Sequence, residues 1–457
     1  MTDLNKNRIS GWRSGLVLLA TLAMVSCKKF LDAKPDKSLT IPATLADYQA
    51  LIDNRIMTAN FPVAGDIASD DYYLTSTDWA ALSTPDLRNT YIYDGTSSND
   101  LDYTIYQYVT NSNVIIEGTG KGNFTNTGTE VNAVAGSGYF FRGYCFLNLA
   151  SVFTLPYKPG TTALGIPLKL RADITSPTTR STLEETYQQI ISDFRRAADL
   201  LPVQVSVKTR PSKPAAYGAL ARTYLIMQNF EMAGKYADSC LQLYSSLIDY
   251  NSVSTTSNTP FPLFNNEVIF HATSSGRGGV VSLARARVDS VLYNSYSAND
   301  LRKRVFFRPA PQVGQLFKGD YGATTSASHF GGIATDEMYL IRAECFARSN
   351  DVVRGVADLN TLMQKRWTQG AYVPYPSSLT SKQLLDIILT ERRKELLFRN
   401  QSRWNDLRRL NQEPDYRKTL VRQINSVNYS MTTESKHYAY LFPVSVIQQT
   451  GIQQNER

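Results

Sequence analysis

The sequence predicts a mainly α-helical protein in which helical pairs form a scaffold and long irregular loops are inserted into it. From residue 181 onward, apolar residues recur at the three- and four-residue spacing of amphipathic helices, and the helices follow in pairs with short connectors. Two stretches, 54–98 and 249–335, lack this period. We therefore expect a helical scaffold over about 99–248 and 336–457, with loop-rich segments over about 30–98 and 249–335.

The helices after residue 181 are predicted from their caps and apolar stripes. Ser181 and Glu184 have the spacing of a capping box, and Pro202 ends the helix that follows. Further helices are predicted from Pro214, over 232–247, over about 336–349 and 351–367, and from Thr380 or Ser381 to Phe398. Such paired helices resemble tetratricopeptide-type units, which bury a continuous core only by stacking.

Two earlier helices are predicted, at about 99–117 and 130–153. The second is aromatic on nearly every side, which is typical of a helix in the middle of a core. The irregular stretch 249–335 exceeds eighty residues, and an insertion of that length is usually functional. We expect binding residues on such loops, held by the rigid helices.

Composition and charge favour a folded protein that does not bind nucleic acid. The 457 residues are 42% hydrophobic and 19% charged, with a formal net charge of +8. Residues 1–26 contribute +2 of this, so +6 remains for residues 27–457. The remaining basic residues are spread out and often alternate with acids, as in ERRKE at 391–395, rather than clustering on one face.

The N-terminus predicts export and a lipid anchor. Residues 1–26 have a basic start and an apolar run at 15–25 that is too short to cross a bilayer but has the length of a signal-peptide core. The run ends in MVSC, which resembles the lipobox of bacterial lipoproteins, so we predict that Cys27 is lipidated and holds the protein on a membrane. An ordinary secretion signal is the alternative.

No metal site, cofactor or disulfide is predicted. The histidines are His271, His329 and His437, and no two have metal-ligand spacing on one helix. The remaining cysteines are Cys145, Cys240 and Cys345. They sit one each in predicted helices without a CxxC pair, so we expect buried free thiols.

The sequence disfavours an enzyme. GxSxG, HExxH and phosphate-loop motifs are absent, although a glycosidase needs only two carboxylates that a sequence cannot locate. The charged run at 391–406 includes Glu391, Arg393, Glu395, Arg403 and Asp406, which could form a catalytic carboxylate group. We expect instead partly buried ion pairs that fix the register of consecutive helices. Trp367 and Trp404 fall in helical stripes and are predicted to be core.

Candidate ligand contacts lie in the two irregular stretches. Trp79 is the one tryptophan after residue 26 outside a predicted helix, and it follows Asp71, Tyr72 and Tyr73. An aromatic plate flanked by carboxylates and amides suits a sugar, whose apolar face is ringed by hydroxyls. In the longer stretch the candidates are Tyr296, Asn299, Asp320 and Tyr321, with Tyr293, Phe306 and Phe307 as further aromatics.

Motifs along the chain resemble the SusD/RagB family of nutrient-binding outer-membrane lipoproteins. After Cys27, KKFLDAKP is similar to the family's opening, and YTIYQYVTNSNVIIEG at 103–118 to its Tyr-Asn-containing helix. The segment 335–367, with IRAE and ADLN, resembles the hallmark helix pair, and ERRKELLFRNQSRWNDLRRL at 391–410 the final signature. YLFPVSVIQQTG at 440–451 resembles the C-terminal Pro-containing strand. The chain departs from the family at Arg399 and Asn400, where Glu-Gly is usual.

This resemblance implies a single SusD-like domain over 27–457, anchored by lipid to the outer membrane and facing the exterior. It implies binding of a nutrient oligomer, foremost an oligosaccharide and second a peptide. Delivery would be to a SusC-like TonB-dependent transporter, with the protein as its lid and without catalysis. Two alternatives from other classes stay open: a lipid-anchored helical-repeat adaptor that binds proteins and no nutrient, and a hydrolase.

Overall fold

Long helices that pack against their neighbours in the chain form the frame of the protein. The computed structural model describes residues 42–173, 175–276, 279–324 and 327–457, and the unit that runs from Thr44 to Arg457 is compact. The described helices are α1 Leu45–Asp53, α2 Ala64–Ala68, α3 Ser76–Ala80, α4 Pro85–Tyr91, α5 Asp100–Tyr103, α6 Tyr106–Lys121, α7 Gly128–Phe153, α8 Leu183–Leu200, α9 Lys213–Ile226, α10 Phe230–Leu243, α11 Ser290–Asn294, α12 Arg302–Val305, α13 Thr335–Arg348, α14 Val352–Gln364, α15 Ser381–Glu395, α16 Ser402–Leu410 and α17 Val444–Thr450. The predicted mainly α-helical class is confirmed.

The described strands are few and short. They are β1 Tyr72–Tyr73, β2 Leu164–Pro167, β3 Arg180–Thr182, β4 Val268–Phe270, β5 Arg287–Val288, β6 Phe307–Pro309, β7 Gln315–Phe317, β8 Ile333–Ala334, β9 Leu420–Ile424 and β10 Val427–Met431. β1, β5, β7 and β6 form an antiparallel sheet in that order, and the others pair as β2–β3, β4–β8 and β9–β10. The four-stranded sheet therefore joins the two irregular stretches, because β1 comes from the first and the rest from the second.

The capping box of α8 lies one residue later than the sequence predicts. Thr182 Oγ1 accepts from the Glu185 backbone N–H at 3.1 Å, and a Glu185 carboxylate oxygen accepts from the Thr182 N–H at 2.8 Å. Ser181 is in strand β3, where its hydroxyl donates to the Ile166 carbonyl at 2.8 Å. The Ser181 hydroxyl is therefore used by Ile166, fifteen residues earlier, and cannot cap the helix. The local capping pattern does not reveal this partner.

Helix α7 lies in the middle of the main core, as predicted. It packs against both α6 and α8, and its residues from Phe140 to Phe153 are buried. α9 and α10 pack together, α10 packs on α13, and α13 on α14 and α15. This succession of packed pairs buries apolar stripes that no single helix could bury alone.

The described part of the first loop-rich segment contains four short helices, α1 to α4. Threonine side chains begin three of them: Thr44, Thr75 and Thr84 each accept a hydrogen bond from a backbone N–H in the first turn. The polar composition that indicated loops is partly helix-capping chemistry, and helices this short show too few turns for a periodic pattern.

The end of the chain differs from the predicted Pro-containing strand. Phe442 and Pro443 are not in a strand, and α17 follows directly and is capped by Gly451, whose φ of 69° is typical of a helix C-terminus. Before it, β9 and β10 form a hairpin whose two turn residues, Asn425 and Ser426, both have positive φ.

The cysteine and tryptophan predictions have clear outcomes. Cys145, Cys240 and Cys345 are free and buried, as expected. Trp404 is fully buried in the core, whereas Trp367 is half-buried at the edge of a cluster around α14 and α15. The predicted signal peptide, the lipid-anchored Cys27 and the KKFLDAKP motif lie outside the described residues. None of the helices in the described ranges is both long and apolar enough to cross a membrane.

Candidate ligand-binding site

An open cavity of about 370 Å³ lies where the two irregular stretches meet. Its walls come from the turn at 55–60 in the first stretch and, in the second, from the loop at 263–273 and from Gly322, Thr324 and Ser328. The lining residues are Arg55, Thr58, Ala59, Asn60, Thr209, Leu263, Phe264, His271, Thr273, Gly322, Thr324 and Ser328. The volume is within the range of ordinary small-ligand sites, and most of the lining is uncharged.

Backbone hydrogen bonds join the two stretches beneath this cavity. The Phe61 N–H donates to the Thr273 carbonyl at 3.1 Å, and the Thr273 N–H donates to the Thr58 carbonyl at 2.8 Å. Asn60, at φ 60°, turns the chain between these two bonds, and asparagine adopts the left-handed region more readily than most residues. The polar side chains of this wall are therefore held on fixed backbone.

Phe264 is an aromatic residue of the cavity lining. It is half-buried, and its φ of 57° is uncommon for a bulky side chain. The adjacent loop is tied down because the Lys208 ammonium donates to the Asn265 carbonyl at 2.8 Å. The neighbouring Leu263 is 49% exposed. A strained, anchored aromatic residue at a cavity wall is the kind of outlier that indicates a functional position.

His271 supplies a buried neutral polar group to the cavity. Its ring lies edge-on to Phe264 at 5.1 Å and near Phe330 at 5.7 Å, and its backbone N–H donates to the Lys208 carbonyl. Burial lowers the pKa of the imidazole to about 4, so the ring is neutral at neutral pH. Nδ1 is buried without a hydrogen-bond partner among the described residues.

Asp320 and Tyr321, which the sequence predicts as ligand contacts, do not line the cavity. They hold the chain just before its lining residue Gly322. Both are buried. The Tyr321 hydroxyl donates to Glu267 at 2.6 Å and lies 2.9 Å from the Tyr250 hydroxyl, while Asp320 accepts from the Phe330 N–H at 2.8 Å. These contacts fix the chain that leads into Gly322.

Three further predicted contacts are also core residues, so no solvent-facing surface is left for a ligand. Tyr72 and Tyr296 are each 1% exposed, and their hydroxyls donate to the carbonyls of Ile67 and Lys394. Asp71 is 2% exposed and pairs with Arg393 at 3.2 Å. The aromatic residues of the irregular stretches form a second hydrophobic core, which also takes in Phe306 and Phe307.

The remaining predicted contacts do not line the cavity. Trp79 is half-buried on α3, with its indole N–H donating to the Arg88 carbonyl at 3.1 Å. Tyr73 is half-buried on β1, and Asn299 is exposed beside Thr368. The residues that the sequence groups as candidate ligand contacts are therefore not brought together in one cavity.

Sequence reasoning missed Asn60, Phe264 and His271. The signal for Phe264 was local but unspecific: PFPLFNN at 260–266 is a turn-rich run that ends in an aromatic residue beside two asparagines. Nothing distinguished it from the other aromatic residues of the stretch, since most of those are buried by partners far away in sequence.

The charged run at 391–406 is a set of structural ion pairs, as predicted, but its partners are mostly remote. Glu391 pairs with Arg302, Glu395 with Arg366 at 2.7 Å, and Arg403 with Asp70 at 2.6 Å. Within the run, Arg392 pairs with Asp406 at 2.9 Å and so links α15 to α16. These carboxylates are neutralised by arginines.

One group of acids has the spacing of a metal site. Oxygen atoms of Glu267, Asp336 and Glu395 lie within 4.8 Å of one another. However, Arg366 donates to both glutamates and Arg399 donates to Asp336 at 2.8 Å. Guanidinium groups already supply the positive charge that a cation would bring, so this donor set does not fit a metal ion.

Two family models match the chain over separate ranges. A SusD-like model, described as starch-binding and associating with the outer membrane, matches residues 29–225. A SusD family model matches residues 333–456. The chain belongs to the SusD/RagB family. The family-level function is therefore carbohydrate binding at the outer membrane, and the stretch between the two matched ranges contains much of the cavity wall.

Individual relatives of this SusD/RagB chain are distant in sequence. A SusD-like protein, P2, of Formosa agariphila is 25% identical over 346 residues, which span 62% of this chain and 66% of that protein. A SusD superfamily protein from Bacteroides thetaiotaomicron has a TM-score of 0.74 at 21% identity, covering 91% of this chain and all of that one. A SusD-like carbohydrate-binding protein from Bacteroides vulgatus has a TM-score of 0.67 at 18% identity, covering 90% and 97%. The solved structures establish the SusD-like fold.

Acidification is expected to destabilise this SusD/RagB protein through His271. Because its folded-state pKa of about 4 is below the ordinary 6.5, the unfolded chain binds a proton between these values that the folded chain excludes. The contribution to stability is complete above pH 6.5 and is lost as the pH falls toward 4. Urea unfolding at pH 7 and at pH 4.5 measures this loss. Between these two pH values, the free energy of unfolding should fall by about 2 kcal/mol less in His271→Gln than in the unsubstituted protein.

The comparison with His271→Gln is needed because other buried groups make the folded state more stable, not less stable, at low pH. Burial raises the pKa of Asp66 and of Asp336 to about 7, which favours the folded state at low pH and is lost as the pH rises. Both proteins share these carboxyls, so their contribution cancels in the difference. Equal acid sensitivity of the two proteins would contradict the role of His271.

Proposed function

We propose that this protein binds a nutrient oligosaccharide in the cavity between the two irregular stretches. The observation that carries the proposal is the cavity itself, which an anchored aromatic residue, Phe264, lines together with polar side chains on fixed loops. Carbohydrate binding in the family and in the Bacteroides vulgatus structure supports a sugar over other ligands. Loops on a rigid helical frame are also where binding residues are expected.

The chemistry of the lining suits a neutral sugar. A pyranose ring places its apolar C–H face on an aromatic ring and its hydroxyls against hydrogen-bonding groups. Phe264 and the exposed Leu263 offer the apolar contact, and Asn60, Thr58 and the uncharged His271 offer polar groups. With Arg55 as the charged lining residue, neutral hydroxyls are the better match.

The proposal includes delivery to a partner without catalysis. The protein would be anchored at Cys27 on the exterior of the outer membrane and serve as the lid of a SusC-like TonB-dependent transporter. A lid requires different ligand affinities in its open and closed states and no bond-breaking chemistry. The structure supports a non-enzymatic role because the acids of the 391–406 run are paired with basic groups.

Phe264→Ala is expected to weaken oligosaccharide binding about tenfold, since aromatic anchors carry much of the energy of such contacts. Isothermal titration calorimetry against a panel of neutral oligosaccharides and peptides measures this. Trp79→Ala is the matched comparison, because it truncates the aromatic residue that the sequence favours but the cavity excludes. Loss of binding in Trp79→Ala with unchanged binding in Phe264→Ala would move the site away from the cavity.

Other outcomes separate the remaining functions. Binding of peptides and not sugars would assign the cavity to a peptide ligand. If no panel member binds and no large barrel subunit co-purifies from outer membranes, the helical-repeat adaptor is favoured. Turnover of a panel member that a single Asp or Glu substitution abolishes would favour a hydrolase.

A further inference from the structure

A second cavity, on different elements, has a basic lining. It measures about 540 Å³ and lies between residues 155–163, the C-terminal end of α16 and the turn at 433–438. Its charged lining residues are Lys158, Arg408, Arg417 and Glu434. A smaller cavity of about 240 Å³ shares Leu155 and Ala163 with it and is lined by Arg180 and by Lys436, which pairs with Glu456. Neither cavity contains a residue of the sugar site.

The basic cavity has more positive than negative charge, because three cations line it with one acid, Glu434. Within the described ranges, no carboxylate lies within 4.0 Å of the charged groups of Lys158, Arg408 or Arg417. Glu434, the acid in the lining, is exposed. Arg409, next to Arg408 in sequence, differs from Arg408 because it pairs with two carboxylates, Glu344 and Asp406.

Arg408 is buried and held by neutral groups. Its guanidinium donates to the carbonyls of Ser151 at 2.6 Å, Tyr438 at 2.8 Å and Leu155 at 3.0 Å. Carbonyls at the end of α7 orient the group and partly stabilise its charge, but they carry no net charge. Burial lowers the pKa of Arg408 to about 10, and that of Arg180 in the adjoining cavity also to about 10.

The uncharged lining is pre-arranged. The Asn411 amide donates to the Tyr438 hydroxyl at 2.7 Å, and the Gln412 amide donates to the Tyr157 carbonyl at 2.9 Å. The exposed cations Lys158 and Arg417 stand around this fixed lining. An anion that enters would meet positive charge beside a wall that is already ordered.

We propose that the basic cavity is a second binding site, for a small ligand that carries an oxyanion. Arg417 and Lys158 contact the anion directly. Arg408 acts through the field of its fixed charge. Two sources share this chemistry: the carboxylate of a sugar acid and a free inorganic anion such as sulfate. The inference goes beyond the proposed oligosaccharide binding and does not depend on it.

Calorimetry of the full mature chain at low ionic strength tests the site with sodium sulfate, glucuronate and neutral glucose. The double variant Lys158→Gln, Arg417→Gln should bind the anions at least tenfold more weakly, and added sodium chloride should weaken binding to the unsubstituted protein. The matched control is Arg196→Gln, Lys235→Gln, which removes the same charge from exposed helical positions away from the cavity. The control should retain anion affinity.

The arms of this experiment also identify the source. Binding of glucuronate alone assigns the site to a sugar acid, and equal binding of sulfate assigns it to a simple oxyanion. The proposal is overturned if no anion binds, if the double variant keeps the anion affinity of the unsubstituted protein, or if the control loses as much affinity as the cavity variant. Phe264→Ala should leave anion binding unchanged, so failure of the sugar site and failure of this one are distinguishable.

Discussion

Replacing Arg366 with methionine is expected to lower the free energy of unfolding by about 3–5 kcal/mol. Arg366 is fully buried, and its guanidinium donates to Glu395 at 2.7 Å and to Glu267 at 2.8 and 3.0 Å. Its removal leaves two buried carboxylates with less compensation, and an unpaired buried charge is among the costliest defects in a protein. Urea unfolding measures the loss without the screening that guanidinium chloride would add.

The matched control is Arg210→Met, at a pair with Asp53 whose side chains are 35% and 37% exposed. Water solvates both groups there, so Arg210→Met should lower the free energy of unfolding by only a small fraction of the loss in Arg366→Met. Adding Glu267→Gln to Arg366→Met should restore part of the stability, because it removes one of the uncompensated charges. An equal loss in the two arginine variants would contradict the buried-network account.

Trp404→Ala is the second substitution with a large expected effect, a loss of about 3–5 kcal/mol. The indole is fully buried, lies tilted against the Tyr438 ring at 5.0 Å and donates its N–H to the Ser151 carbonyl at 2.9 Å. A Cβ placed on Gly65 would lie 2.6 Å from the ring, which shows how closely α2 packs on it. Truncation therefore opens a cavity that the rigid surroundings cannot fill.

Trp367→Ala is the comparison for this change, because Trp367 is half-buried and loses less contact on truncation. Unfolding should be followed by circular dichroism, since both variants remove a fluorophore. Trp404→Phe, which keeps part of the volume, should fall between Trp404→Ala and the unsubstituted protein. A loss in Trp367→Ala as large as in Trp404→Ala would contradict the packing difference.

The helical frame was predictable because its signals are local. Apolar residues three and four apart, with a proline or a capping residue at the end, determine a helix within one or two turns. The helices predicted at 336–349 and 351–367 are observed as Thr335–Arg348 and Val352–Gln364. The α8 cap was displaced by one residue because Ser181 is used by a strand pairing that the local sequence does not reveal.

The ligand site was not predictable at the level of residues. The irregular stretches were expected to expose their aromatic residues, yet Tyr296 and Tyr321 are buried against Lys394 and Glu267, which lie far away in sequence. An aromatic residue on a loop has the same local signature whether it packs inward or faces a cavity. Phe264 differs from them only through the loops that surround it.

The sequence by itself determined the helical frame, the free thiols, the ionic role of the 391–406 run and, through its motifs, the family. Each of these depends on residue type and short spacing, which the chain carries directly. The tertiary structure alone decided which charges pair, which aromatic residues are sealed in the second core and which residues line the two cavities. These depend on contacts between segments tens to hundreds of residues apart, and packing and desolvation at such contacts set the energy of each group.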